Sequence, residues 1–264
     1  MKHFPYVALL TAILLGACSS IPGLAQPTAT PLPTDTPQPT LTPLPTDTPR
    51  PTATATPNAT ATAAQQATQS AMDALSDLEK VLGDTDIPYE DGQLAWQQTR
   101  PLRISMSGPD QELLEIEEAP SAANFIFKSD VTWEATGLLL CGAIFRSEPN
   151  ILEGKQYQFV FLRFSGLPAW AIEVHEFGQF RNSPTKTKFS DVLDLRNGAT
   201  NQFMLVVQDD HFTLYLNRMR QGTYYDYSKQ REEGGFGFLG TQQSGTGKCE
   251  FENSWIWTLE SGSD

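Results

Sequence analysis

Across 264 residues, 18 lysines and arginines face 31 aspartates and glutamates, and the formal net charge is −13. A chain this acidic is a poor ligand for nucleic-acid phosphates, which excludes nucleic acid as a partner. The N-terminal part is too poor in large apolar side chains to build a core, so the folding part is roughly the last 180 residues.

The chain opens Met1-Lys2-His3, continues into the apolar run Val7 to Leu15, and reaches Leu15-Gly16-Ala17-Cys18-Ser19-Ser20. Basic, apolar and small-residue regions in that order are those of a secretory signal over 1–17, and the apolar run is too short to span a bilayer. Leu15-Gly16-Ala17-Cys18 resembles the bacterial lipobox. That resemblance implies that Cys18 becomes the acylated first residue of an exported protein, anchored to the cell membrane or surface on the extracytoplasmic side. The membrane partner is then reached through lipid, several acyl chains holding stably where one does not.

Residues 18–60 form the lipidated cysteine and a linker of Thr, Pro and Ala, in which the segment Thr30 to Pro37 recurs as Thr42 to Pro49. Proline fixes φ, removes an amide donor and pushes its predecessor out of the helical region, so this disordered stalk favours extended polyproline II. Fully extended it reaches on the order of 100 Å. Prolines stop at Pro57, and Ala71, Met72, Leu75, Leu78, Val81 and Leu82 then recur at three- and four-residue spacing before Gly83. The spacing predicts a short amphipathic helix over 61–83, capped by the glycine, that docks on the following domain or pairs with another chain.

From 84 to 264 the pattern is all-β. Period-two runs separated by Gly, Pro, Asn and Asp predict strands at 94–98, 102–106, 112–118, 123–134, 137–146, 156–165, 168–177, 202–208, 211–217, 234–240 and 249–259. Phe125, Phe127, Val131 and Trp133 share one face, with Lys128, Asp130, Thr132 and Glu134 on a wet one. Leu138 to Phe145 is apolar on both faces and so central. Phe203 to Asn217 reads as a hairpin about Asp209-Asp210.

This hairpin, the strand Gly234-Gly235-Phe236-Gly237-Phe238-Leu239-Gly240 and the closing segment Cys249 to Trp257 resemble the C-terminal half of concanavalin A-like lectin/glucanase jelly rolls. Laminin-G-like and 3-keto-disaccharide-hydrolase-like domains of bacterial surface proteins are the members meant. Gly142 to Arg146, Tyr157-Gln158-Phe159 and Ala171 to Val174 are similar to the middle strands, so the resemblance covers about 90–260. It implies a two-sheet sandwich and leaves open whether the domain binds, hydrolyses or adheres.

Beyond Cys18 only Cys141 and Cys249 remain. In an oxidising compartment they are expected to form a disulfide, the alternative being two buried thiols. His175 and His211 lie at no spacing typical of zinc, so no transition metal is expected. Asp191, Asp194, Asp209 and Asp210 sit in turns of the kind that laminin-G-like domains use for calcium, which makes calcium the one admissible cofactor. A retaining glycosidase needs two neighbouring carboxylates, and hydrolases of this shape use Glu-x-Asp-x-x-Glu. Here Glu173 and Glu176 point to opposite faces, while Glu115 and Glu117 share a face explained by solvent. No catalytic residue is assigned.

Sugar sites stack aromatic rings on pyranose faces. Trp255 and Trp257 alternate with Phe251 and Leu259 and are read as core, as are Trp133 and Trp170. Tyr225 and Tyr227, in a turn segment, and Tyr215, sharing a face with Thr213 and Asn217, are the stacking candidates; Arg146 and Arg163, at strand ends, are the hydrogen-bond donors. The leading expectation is a non-catalytic module recognising a glycan or surface protein, against a glycoside-processing hydrolase and a structural module.

Overall fold

The computed structural model describes residues 59–227 and 229–260. The expected signal over 1–17, Cys18 and the expected Thr/Pro linker up to residue 58 lie outside the described residues, and residues 59–60 of that expected linker belong to the helix. A helix, α1, spans Ala59–Leu82 and closes with the Gly83 amide donating to Glu79 O at 3.0 Å. The strands are β1 Gln93–Gln97, β2 Leu102–Ser107, β3 Asp110–Glu115, β4 Phe125–Ala135, β5 Leu139–Ser147, β6 Gln156–Phe164, β7 Leu167–Glu176, β8 Gln179–Asn182, β9 Lys188–Phe189, β10 Ala199–Gln208, β11 His211–Leu216, β12 Met219–Tyr225, β13 Gly235–Gln242 and β14 Thr246–Thr258.

All pairings are antiparallel, in two sheets. The first runs β1-β14-β4-β10-β11-β12, with β2 also on β14; the second runs β3-β13-β5-β6-β7-β8, with β9 also on β7. The chain crosses between the sheets repeatedly, giving a jelly-roll sandwich. As its two-sided apolar pattern implies, β5 is interior to its sheet. The inner faces meet in an aromatic core in which Phe236 packs edge-on against Phe125 and Phe127, at ring separations of 4.7 and 5.8 Å. Cys141 of β5 and Cys249 of β14 are disulfide-bonded across this core, tying one sheet to the other over 108 residues of chain.

A second core lies on the outer face of the first sheet. Ala74, Leu78 and Leu82, four residues apart, bury one stripe of α1 against Ile126, Met204, Val206, Tyr215, Trp255 and Trp257. The helix docks, therefore, on its own domain. This docking changes three readings from sequence. The face of β4 expected to be wet carries Ile126 into the helix interface, and Lys128 on it is only 3% exposed, donating to Asn253 O at 3.0 Å. Trp255 and Trp257 are buried as expected but do not share a face with Phe251. A bulge between Glu252 and Trp255, with Asn253 at φ 50°, inserts one residue into β14 and turns both indoles outward under α1, while Phe251 stays in the inter-sheet core. Tyr215 is likewise covered by the helix.

β12, like the short β8 and β9, is absent from the strands that the sequence pattern predicts. Its segment reads as a turn, yet Met219–Tyr225 forms a strand on β11 through a tight hairpin at Asn217 and Arg218, both with positive φ (47° and 67°). Such primed turns normally show Asn-Gly, so an arginine at the second position removes the local signal. Asn217 is held from outside instead, its side-chain amide accepting from Gln202 N at 2.8 Å and donating to Val192 O at 2.5 Å.

Candidate functional site

At the sandwich end where β4 begins and β5 stops, three loops converge on Arg146. Its backbone is left-handed (φ 48°) and it is 2% exposed. The guanidinium Nη2 donates to Ala123 O (2.7 Å) and Asp209 O (2.6 Å), Nη1 donates to Arg231 O (3.2 Å), and the charge lies 5.8 Å from the centre of the Phe212 ring. Burial pulls its pKa down, but an arginine stays protonated and the carbonyls solvate the charge. Next to it the Tyr157 hydroxyl donates to the Asp226 carboxylate and accepts from Arg231 N at 3.2 Å. Burial, then the bond to Asp226, push the phenol pKa up, so it remains a donor. Arg231 reaches on to Glu148 at 3.1 Å. These bonds fix the Ala123–Asn124 approach, the β10–β11 turn and the β12–β13 loop relative to each other.

Among these loops opens a polar cleft of about 360 Å³, with Asn124, Arg146, Asp209, Asp210, Asp226 and Lys229 on its walls. Beside it stands a short aromatic ladder. His211 Nδ1 donates to the Asp210 carboxylate over 2.8 Å, and the imidazole sits 4.2 Å from the ring of Tyr225. Tyr225 stacks in turn on Tyr227 at 5.8 Å and an interplanar angle of 17°. Tyr225 is 47% and Tyr227 88% exposed, so the rings offer a flat apolar face to solvent next to hydrogen-bonding groups. Arg146 belongs to this end, but as the tie beneath the cleft rather than as a free donor.

The remaining candidates lie elsewhere. Tyr215 is 4% exposed beneath α1, which removes it as a stacking platform. Arg163 is at the opposite end of β6: the Phe145–Tyr157 rung adjoins Arg146, whereas the Leu140–Leu162 rung adjoins Arg163. Its guanidinium lies over Trp133, 4.8 Å from the ring centre, and donates to Leu195 O, so it caps the core there. Sequence reading missed His211, because its alignment with Tyr225 exists only once β12 is recognised as a strand. The carboxylates considered for other chemistry are also dispersed. Asp194 chelates Arg196, which holds its pKa down to about 2. Glu173 is paired with His175 at 2.9 Å, and Glu176 with Lys155 and Arg181. Among the described residues no group of three or more His, Cys, Asp or Glu side chains is placed to hold a metal ion.

Fold and site together define a two-sheet antiparallel jelly roll bearing a polar cleft flanked by exposed aromatic rings. No family model matches the chain, and no curated protein matches it. Solved structures similar to it include a carbohydrate binding module from Bacillus subtilis (15% identity, 62% of this chain and 96% of that one, TM-score 0.44). A β-glucanase of Bacillus licheniformis (9% identity, 61% and 79%, TM-score 0.42) and sheep galectin-11 in complex with glycerol (6% identity, 57% and 98%, TM-score 0.39) are two more.

Proposed function

We propose that this chain is an extracytoplasmic, lipid-anchored module that recognises a glycan at the Tyr225–Tyr227 platform and the adjoining cleft, without catalysis of its own. The observation that carries the reading is the pair of near-parallel, exposed tyrosine rings that reaches a polar cleft through His211 and the cleft residue Asp210. An aromatic face gains contact area from the C–H surface of a sugar ring, and nearby carboxylates and amides accept and donate to its hydroxyls. The separate pairing of Glu173 and Glu176 supports the non-catalytic part. The lipobox-like Leu15 to Cys18 supports the anchor. Within the domain, Asp73 and Asp77 of α1 lie level with Lys128 and Asp130, and Asp84–Ile87 level with Gln208–His211 beside the cleft, so α1 ends at the cleft end of the first sheet.

Tyr227→Ala is expected to leave the melting temperature within about 2 °C, since surface substitutions stay within about 0.5 kcal/mol, while weakening binding on a glycan array at least tenfold. Undiminished binding would remove the platform from the site, and release of cleaved product from a bound oligosaccharide would overturn the non-catalytic reading. For the anchor, Cys18→Ser should shift the protein from the membrane fraction to the soluble or uncleaved precursor pool. Unchanged fractionation would end the lipid-anchor proposal.

A further inference from the structure

The cleft does not end at the aromatic ladder. Asp209 also lines a second depression, an open groove of about 650 Å³ on the uncovered margin of the first sheet's outer face. One wall of the groove is the segment Asp84–Ile87 that follows α1; the other is the outer face of β11 and β12. Strand register sets what that face presents. His211 lies opposite Tyr225 and Thr213 opposite Thr223, so the aromatic pair is followed directly by a pair of hydroxyls 2.7 Å apart. Arg220 donates to Thr223 at 2.8 Å at the far side of this pair. Cleft, aromatic junction and hydroxyl-lined groove thus follow one another in a line. From Asp210 to Tyr215 the line covers about 17 Å at ~3.3 Å per strand residue.

We infer that the two depressions form one extended site for a linear, neutral oligosaccharide, its rings stacking at Tyr225 and Tyr227 while the chain continues along Thr213, Thr223 and Arg220. This deepens the proposed function and rests on it. A trough of this length, with aromatic contact in the middle and hydrogen-bonding groups on both sides, fits a chain better than a single compact ligand. Neutrality follows from the walls. Asp84, Asp86, Asp209 and Asp210 supply carboxylate acceptors for sugar hydroxyls, Lys229 is turned to Asp210 (3.9 Å) and Arg220 to Thr223. A polyanion would have to enter between carboxylates, whereas a polyol donates to them.

The test is calorimetric titration of the full chain with neutral gluco- and manno-oligosaccharides from di- to hexasaccharide, with oligogalacturonides as the anionic arm. Affinity is expected to rise at least tenfold with length for a neutral series and to be absent for the galacturonides. The double variant Arg220→Ala, Thr223→Val should abolish that rise, leaving disaccharide affinity and melting temperature unchanged, while Tyr225→Ala lowers affinity at every length. Binding independent of length, or insensitive to the double variant, would overturn the extended site while leaving glycan recognition standing. Preferred binding of galacturonides would overturn neutrality, and failure of every oligosaccharide to bind would overturn the extended site and the proposed function together.

Discussion

Replacing both half-cystines, as Cys141→Ala with Cys249→Ala, is expected to lower stability by about 4–5 kcal/mol, the chain-entropy value for releasing a loop of about one hundred residues. The bridge closes 108 residues, running from the middle of the second sheet through the cleft loops to the last strand of the first. It therefore restrains in the unfolded chain the long-range pairings that a jelly roll has to find. Both sulfurs are fully buried in the inter-sheet core, so the alanines also remove packed atoms, and reductants reach the bridge only when the domain opens. For a domain of this size the loss corresponds to a melting temperature lower by about 10–20 °C. Urea denaturation of the two proteins measures it directly. A change below about 1 kcal/mol, well under the chain-entropy value, would show that the reduced chain already retains these contacts.

Trp257→Ala is expected to cost about 3–5 kcal/mol, in the range of large-to-small changes at buried aromatic sites, and to do so in a particular place. The indole is 4% exposed in the core beneath α1, and its Nε1 donates to Tyr89 O at 2.9 Å. The backbone at Gly92 lies so close that a Cβ there would sit 2.2 Å from the indole nitrogen. Truncation empties the space that the α1–β1 connection wraps, so the helix should loosen before the sandwich does. Hydrogen exchange should rise across residues 74–92 at low denaturant while the amides of β5 and β6 stay protected. Detachment would bare Met204, Val206, Tyr215 and Trp255 together, a contiguous apolar patch that predicts self-association at raised concentration. Uniform loss of protection across the whole domain would instead place the indole in the single cooperative core between the sheets.

What the sequence determined is what local chemistry encodes. Alternation in Phe125 to Trp133 is written residue by residue and gives a strand with the expected inner face, and the two apolar runs between Phe203 and Leu216 form the expected hairpin pair. The helix before Gly83 follows from its own three- and four-residue spacing, and two cysteines left in the folding part admit one intramolecular pairing, which is the one present. The tertiary structure decided what depends on partners distant along the chain. A single bulge at Asn253 reverses the facing of Trp255 and Trp257, because a period of two has no tolerance for an inserted residue. The α1 stripe claims Tyr215, since any apolar helix face must be covered and the outer face of β10 and β11 is what lies under it. Arg146 and Arg163, alike as charges ending apolar strands, are separated to opposite ends of the sandwich by antiparallel pairing and given carbonyls and ring faces to satisfy. The His211–Tyr225–Tyr227 ladder exists only because β12 pairs with β11 through a turn whose positive φ values are stabilised by contacts to Gln202 and Val192, partners that no window around Asn217 contains.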